Sequence, residues 1–305
     1  MEIVNTSVPI TSASNDAMIL ALVREYPFLR SEVIGATAFQ RQLRTLVLGN
    51  GPRKVFYSAA HHANEWITSL VLLKYAQELA RAYRDGGSIA GYDAKEIFDT
   101  ATIYLLPMVD PDGVDLVTGA IAPGSVSYEA ARRLAENYPA IPFPDGWKAN
   151  LLGVDLNLNY PARWLTARDI KFSQGFTRPG PRDYVGRAPL NQLETRSLAE
   201  YTRLLDPALV LAYHSQGKEI YWQFDGIFVP GAEELGRAFA DASGYALADT
   251  PYPSSFAGYK DWFIQEVRRP GYTVEVGLGE NPLPLEQFDE IYRDNESILT
   301  LAALG

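Results

Sequence analysis

A histidine and a glutamate three residues apart are the first chemical signal in this 305-residue sequence. His62 and Glu65 follow the apolar stretch Val55-Phe56-Tyr57 and begin an amphipathic run that continues to about Leu79. At the opening of a helix, side chains with this spacing lie on one face, so both could bind one metal ion. The spacing is also common by chance, and the alternative is a surface histidine beside a glutamate that favours the helix dipole.

The chain has only three histidines, and one of them follows a second apolar run. His214 lies in Leu211-Ala212-Tyr213-His214-Ser215. Together with His62 and Glu65 it would complete a set of two histidines and one carboxylate, which is a known ligand set for catalytic zinc. Taken alone, His214 is better interpreted as a core histidine with a hydrogen-bonded ring, so the metal hypothesis requires all three residues together.

A carboxylate interrupts the apolar run Tyr272-Thr273-Val274-Glu275-Val276-Gly277. Burying a carboxylate within such a strand is costly unless the group is paired or used. We therefore interpret Glu275 as a general base. The alternative is a glutamate at the end of the strand that faces water.

Strands and helices alternate along most of the chain. Strands are predicted at residues 32–36, 41–48, 54–59, 101–107, 207–213 and 272–277. Helices are predicted at residues 15–26, 62–84, 128–137, 193–204, 232–243, 260–267 and 285–303. Loops are predicted at residues 109–114, 175–189 and 249–255, and the second of these contains Arg178, Arg182 and Arg187, which receive no role from the sequence.

This alternation predicts the fold class. We expect an α/β protein, a single domain with a mixed, mainly parallel β-sheet flanked by helices. In such sheets the functional residues gather beyond the strand ends. His62, His214 and Glu275 would each lie at or just past the end of a strand, which favours a common site.

Composition narrows the class of protein. A formal net charge of −10 argues against nucleic acid or an anionic membrane as partner, because polyanion recognition needs a basic surface. The absence of cysteine excludes disulfides and thiolate metal sites. The sequence shows neither a signal-peptide pattern nor an apolar stretch long enough to span a bilayer, so a cytoplasmic location is expected.

Six motifs, in order along the chain, resemble the zinc carboxypeptidase family. They are His62-Ala63-Asn64-Glu65-Trp66, Pro107-Met108-Val109-Asp110-Pro111-Asp112-Gly113, Gly153-Val154-Asp155-Leu156-Asn157, Tyr184-Val185-Gly186 with Glu194-Thr195, His214-Ser215, and Thr273-Val274-Glu275-Val276-Gly277. The resemblance covers nearly the whole chain. It implies that residues 1–305 form one zinc peptidase catalytic domain of the carboxypeptidase fold, with no LysM or other accessory module.

The resemblance also implies a cofactor and a mechanism. One Zn²⁺ ion per chain would be held by His62, Glu65 and His214, as in other zinc enzymes with a His₂Glu site. Glu275 matches the family's general base, which takes a proton from the attacking water.

Three further positions match family residues, and two depart from the family pattern. Asp155 matches the carboxylate that orients the first zinc histidine, Asn157 matches a substrate-binding asparagine, and Tyr252 is the candidate for a mobile tyrosine that caps the substrate. Leu158 stands where carboxypeptidases have an arginine that binds the substrate's terminal carboxylate. Lys148 stands where they have the transition-state arginine, and it would supply charge to the oxyanion without a guanidinium's fork geometry.

The residues 62–68 and 216–222 and the missing arginine resemble one bacterial branch of the family most. Its members are γ-D-glutamyl-L-diamino acid (diaminopimelate) endopeptidases, which cut murein peptides between the γ-carboxyl of D-Glu and the diamino acid. A murein peptide carries several carboxylates, and the resemblance places Lys218 and Lys260 near the pocket, where they would pair with them. For each lysine, a solvated surface position is the alternative.

Three other functions remain open from the sequence. A conventional carboxypeptidase would need a new group to bind the terminal carboxylate. A zinc-dependent small-molecule deacylase of the aspartoacylase type would share the metal chemistry, although the long match to the peptidase pattern argues against it. A murein-binding module without activity is the third alternative, and the complete ligand set with Glu275 argues against it.

Overall fold

The structure, a computed structural model, describes residues 2–305 and consists of a central β-sheet with helices on both faces. The helices are α1 (Ser12–Glu25), α2 (Ile67–Asp85), α3 (Ala94–Thr100), α4 (Pro111–Val117), α5 (Val126–Ala135), α6 (Trp164–Ser173), α7 (Leu193–Leu205), α8 (Ala232–Ser243), α9 (Tyr259–Val267) and α10 (Phe288–Leu304). The strands are β1 (Arg30–Ala36), β2 (Gln42–Leu48), β3 (Arg53–Ala59), β4 (Ser88–Ile89), β5 (Tyr92–Asp93), β6 (Ala101–Leu106), β7 (Leu209–His214), β8 (Glu219–Tyr221), β9 (Ala246–Ala248) and β10 (Gly271–Glu275).

The main sheet has eight strands in the order β1-β2-β6-β3-β7-β10-β8-β9, whereas β4 and β5 form a separate hairpin. The four central strands β6, β3, β7 and β10 run parallel to one another. The outer pairs β1/β2, β2/β6 and β10/β8 are antiparallel, and β8/β9 is parallel. The sequence-based prediction of a mixed, mainly parallel sheet is confirmed.

Strand β7 shows how the two faces of the sheet are covered. All six of its residues are buried, as expected for a central parallel strand with helices on both sides. Leu209, Leu211 and Tyr213 belong to an apolar cluster with residues of α1, α2 and α10. Val210 and Ala212 belong to a second cluster, with residues of α6, α7 and α9. Because β7 is rigidly packed on both faces, the position of its last residue is well defined.

The predicted helices and strands are all present, with bounds that differ by a few residues. The prediction of a loop at residues 109–114 is wrong, because Pro111 starts helix α4 there. The Asp110 side chain caps this helix by accepting a hydrogen bond from the Gly113 N–H at 3.0 Å. Asp and Pro are common in turns, but both also favour helix starts.

The sequence did not indicate helices α3 and α6 or the short strands β4, β5, β8 and β9. Strands of two or three residues are too short for an apolar alternation to show. Within residues 2–305, no helix has both the length and the apolar character that crossing a membrane would need.

A buried glutamate lies at the start of α7. Glu194 is 2% exposed, and its carboxylate accepts a hydrogen bond from the Asn150 amide at 3.3 Å. Burial, reinforced by the negative charge of Asp112, raises the pKa of Glu194 from 4.5 to about 7. Its charged form is therefore disfavoured in the folded protein.

We expect Glu194→Gln to stabilise the protein more at pH 8 than at pH 4. Because the folded pKa is about 7, the folded state binds more protons than the unfolded state between pH 4.5 and 7, and stability falls as pH rises through this window. Glutamine removes the penalty, which should raise the free energy of unfolding at pH 8 by roughly 3 kcal/mol. Urea denaturation at the two pH values measures the difference, and a substitution effect that is the same at both would contradict the account.

Candidate active site

Three neighbouring strands deliver the predicted catalytic residues to one edge of the sheet. His62 and Glu65 follow β3, His214 is the last residue of β7, and Glu275 is the last residue of β10. Glu275 and His214 are direct register partners in the parallel β7/β10 pair. The prediction that these residues meet at strand ends is therefore in agreement with the structure.

The local conformation at His62 and Glu65 differs from the predicted one. The two residues do not share a face of an α-helix. Instead, a 3₁₀ turn at Ala63–Glu65 precedes α2, and His62 is an extended residue just before that turn. Both side chains are nonetheless directed to the same point, because the tighter turn also brings residues three apart together.

His62, Glu65 and His214 form a compact set of possible metal ligands. His62 Nδ1 lies 2.9 Å from Glu65 Oε1, and His214 Nδ1 lies 2.9 Å from Glu65 Oε2. The two Nδ1 atoms are 3.2 Å apart, and ligand atoms of all three residues lie within 4.8 Å of one another. Two imidazole nitrogens and a carboxylate at these distances fit the donor set of a catalytic zinc ion.

Asp155 lies within hydrogen-bonding distance of the first histidine of the set. Its Oδ1 atom lies 3.1 Å from His62 Nε2, and its Oδ2 atom accepts a hydrogen bond from the Asp183 backbone N–H at 3.2 Å. When His62 Nε2–H donates to Asp155, the lone pair of Nδ1 is free to face a metal ion. The structure thus places Asp155 where the sequence predicted it.

Glu275 lies beside the three possible ligands. It is half-buried and is the last residue of β10, which ends two residues earlier than the strand predicted at 272–277. Burial and the charge of Glu65 raise the pKa of Glu275 to about 8, against the opposing influence of Lys148 and His62. A dication held by the neighbouring histidines would lower this pKa, because a nearby cation favours the carboxylate.

Lys148 reaches the same cluster from the segment that precedes Asp155. Its Nζ atom forms an ion pair with Glu65 Oε1 at 2.7 Å, and its side chain is mostly buried. Burial would lower the pKa of Lys148, but Glu65 outweighs this and raises it. The folded protein therefore favours the charged form of Lys148 next to the possible metal ligands.

These residues open into one cavity of about 620 Å³. Asn157 and Leu158 line it, and the Asn157 Oδ1 atom accepts a hydrogen bond from the Tyr259 backbone N–H at 3.0 Å. Because this bond occupies the Oδ1 atom, the NH₂ group of the Asn157 side chain remains free to donate a hydrogen bond. Leu158 has no polar atom in its side chain, so this wall of the cavity offers a substrate carboxylate no partner at that position.

The other predicted substrate-binding residues, Lys260 and Tyr252, differ in whether they line the cavity. Lys260 lines the cavity and is 4% exposed, and its Nζ atom contacts Asp261 Oδ1 at 2.6 Å and the Gln223 carbonyl at 2.7 Å. Tyr252 is 68% exposed and does not line the cavity, although its neighbours Thr250, Pro251 and Ser254 do.

The placement of Lys218 near the pocket is wrong. Its ammonium group binds Glu290 Oε1 at 2.6 Å and Asp294 Oδ2 at 3.0 Å, both on α10. It is absent from the cavity wall, and its ammonium group is already paired with two carboxylates. Its proximity to His214 in the sequence was misleading, because the chain turns away between β7 and β8.

Sequence reasoning missed several cavity residues. The wall also contains charged side chains that no motif indicated: Asp145, Lys171, Arg182, Asp183 and Glu280. Only Arg182 had been noted, as one of three arginines in a loop. Residues of this kind are scattered through loops, where neither spacing nor periodicity carries a signal.

Comparison with known proteins identifies the family. The zinc carboxypeptidase family matches residues 16–297, and the chain belongs to it. A relative 40% identical over 271 residues is gamma-D-glutamyl-L-diamino acid endopeptidase 1 of Lysinibacillus sphaericus; the match covers 88% of this chain and 66% of that protein, so the chain spans just under two thirds of its length. YqgT of Bacillus subtilis strain 168 is 35% identical, with 91% and 73% covered.

A solved structure supports the fold. Thrombin activatable fibrinolysis inhibitor superposes with a TM-score of 0.76 at 16% identity, covering 99% of this chain and 76% of that one. The carboxypeptidase-like fold and the resemblance to the zinc carboxypeptidase family are thereby confirmed. Within this zinc carboxypeptidase family member, His62, Glu65 and His214 form a cluster able to hold one metal ion.

Proposed function

We propose that this protein hydrolyses the bond between the γ-carboxyl of D-Glu and a diamino acid, meso-diaminopimelate, in murein peptides. The observation that carries the proposal is a cavity with an intact His₂Glu cluster and Glu275, in which Leu158 replaces the arginine expected for a terminal carboxylate. The 40% identity to a protein named as a γ-D-glutamyl-L-diamino acid endopeptidase supports the same substrate class.

The chain's own residues account for the proton transfers. A zinc ion held by the cluster would supply a Lewis acid that lowers the pKa of water and polarises the scissile carbonyl. Glu275 takes the proton from the attacking water and returns it to the leaving amine of the diamino acid. Asp155 holds His62 in the tautomer that leaves Nδ1 free for the metal.

Lys148 is placed to stabilise the oxyanion, since it lies at the cluster where the negative charge develops. We expect Lys148→Met to lower kcat roughly 100- to 1,000-fold, the usual effect of losing one such group, with a smaller change in KM. Lys148→Arg keeps the charge and should lose much less. Steady-state kinetics with zinc content as a control test this. A Met variant with the wild-type kcat would contradict the role.

Lys260 provides a binding partner for the extra carboxylate of diaminopimelate. A lysine ammonium has three donors, and two of those of Lys260 contact Asp261 and Gln223, so one is available to a substrate. We expect Lys260→Met to raise KM for a diaminopimelate substrate roughly 10-fold more than for its lysine analogue, which lacks that carboxylate. A general defect of the variant would affect both substrates equally, so it cancels in the ratio of the two KM values. Equal effects would refute the role.

A conventional carboxypeptidase is the second candidate, because the chain belongs to that family. Two pairs of peptides separate the functions. Cleavage of a γ-D-glutamyl bond, but not of the matching α-linked bond, would support the murein peptidase. Release of C-terminal residues from ordinary free peptides, with no cleavage of γ-linked ones, would support the carboxypeptidase.

A further inference from the structure

Arg182 is fixed at the cavity by its neighbours on both sides. The Pro181 carbonyl accepts hydrogen bonds from the backbone N–H groups of Lys148 at 2.7 Å and Ala149 at 2.9 Å. On the other side, the Asp183 N–H donates to Asp155 Oδ2 at 3.2 Å. Arg182 is thus held between the segment of Lys148 and the carboxylate that orients His62. A loop residue anchored in this way presents its side chain from a defined position.

Three of the four cations in the cavity wall have their charged group bound by a carboxylate. Lys148 binds Glu65 at 2.7 Å, Lys260 binds Asp261 at 2.6 Å, and Lys171 binds Asp183 at 2.6 Å. Each of these three lysine charges is therefore paired with one carboxylate of the protein.

Arg182 is the exception among these four. Its Nε atom donates to Asp183 Oδ2 at 2.8 Å, but Asp183 is already neutralised by Lys171, so one positive charge remains in excess. Within residues 2–305, neither terminal nitrogen of Arg182 forms a hydrogen bond, and the side chain is 40% exposed. The bond at Nε fixes the guanidinium plane while leaving its outer donors directed away from Asp183. Such a fork matches the geometry of a carboxylate.

We propose that Arg182 is a specificity-determining residue that binds the free α-carboxylate of the γ-linked acidic residue, on the acyl side of the scissile bond. This inference rests on the proposed function. In a γ-linked glutamate, the α-carboxylate is a branch on the third carbon from the scissile carbonyl carbon. A peptide with another residue on the acyl side has no carboxylate there, whereas an α-linked glutamate carries its side-chain carboxylate at the same number of bonds and differs in the position of its amino group. Arg182 would therefore favour a glutamate on the acyl side over other residues.

The position of Arg182 agrees with the acyl side. The carbonyl oxygen of the acyl group must lie by the metal cluster and Lys148, and Pro181, which precedes Arg182, accepts backbone hydrogen bonds from Lys148 and Ala149. Lys260, the proposed partner of the diamino acid, comes from a different wall, on α9. Separate cations thus serve the two sides of the bond.

The test compares two substrates and three enzymes. The substrates are L-Ala-γ-D-Glu-meso-diaminopimelate and its D-isoglutamine form, in which the α-carboxylate is a carboxamide. The zinc-loaded enzymes are the wild type, Arg182→Gln and Arg178→Gln. Arg178 belongs to the same loop, and its Nη1 atom lies 3.5 Å from Asn137 outside the cavity wall, so it is the matched control.

We expect the wild type and Arg178→Gln to prefer the acid over the amide roughly 10- to 100-fold in kcat/KM, as for a charge-assisted bidentate pair. In Arg182→Gln, kcat/KM for the acid should fall by this factor, whereas kcat/KM for the amide should equal that of the wild type. The acid-to-amide ratio should therefore be near one. Turnover of the amide also shows that the variant is folded.

Three results would overturn the proposal. They are an unchanged acid-to-amide ratio in Arg182→Gln, an equal loss on both substrates with zinc retained, and a wild type that does not distinguish the two. Failure of the proposed function has a separate signature, since the wild type would then cleave neither substrate.

Discussion

Glu275→Gln is expected to retain zinc and lose nearly all turnover. The glutamine amide has the shape of the carboxylate but cannot accept the proton of the attacking water, and loss of a general base typically costs roughly 100- to 10,000-fold in rate. Glu275 is not part of the cluster of His62, Glu65 and His214, so the metal content should remain at one ion per chain. Kinetics on L-Ala-γ-D-Glu-meso-diaminopimelate and metal analysis by atomic absorption measure the two quantities.

A matched control separates the role of Glu275 from a change of charge. Glu286 is exposed in the turn before α10 and does not line the cavity, so Glu286→Gln should leave kcat and zinc content unchanged. If Glu275→Gln kept the wild-type kcat, the assignment of the base would be wrong. If it lost zinc as well as turnover, Glu275 would act through the metal site instead.

His214→Ala is expected to remove zinc and, with it, activity. The substitution deletes one of three donors and leaves Glu65 with one histidine, His62, at hydrogen-bonding distance. Loss of a residue that merely orients a metal ligand typically costs 10- to 100-fold in affinity, so loss of a ligand should cost more than about 100-fold. Equilibrium dialysis against a competing chelator would measure the affinity.

His61→Ala is the matched control for His214→Ala. His61 is as deeply buried as His214, and its ring stacks on that of His214 with centroids 5.5 Å apart. It does not belong to the set of possible ligands, so its removal should leave stoichiometric zinc. Both substitutions create a cavity at the same place, and packing damage alone would therefore affect both. Retention of zinc by His214→Ala would contradict the proposed ligand set.

The strand ends explain why most of the site could be predicted from the sequence. Apolar runs that stop at a polar residue showed where β3, β7 and β10 end, and parallel strands place such ends on one edge. The spatial order β3-β7-β10 could not be predicted, because these strands are far apart in the chain. The family resemblance supplied the information that the three ends adjoin.

Two of the errors have a common physical cause, which is long-range pairing. Lys218 was expected in the pocket, but its partners Glu290 and Asp294 lie 72 and 76 residues away and draw it to α10. Arg182 received no role from the sequence, because its position depends on a backbone hydrogen bond from Lys148 to the neighbouring Pro181. Such contacts leave no periodic trace in the sequence, whereas a strand or helix does.

Mass spectrometry of the products from L-Ala-γ-D-Glu-meso-diaminopimelate tests the central claim most directly. The zinc-loaded protein should release free diaminopimelate and the dipeptide L-Ala-D-Glu, and Glu275→Gln should release neither. Intact tripeptide after incubation, with one zinc ion confirmed per chain, would contradict the proposed activity and turn attention to ordinary peptides as substrates.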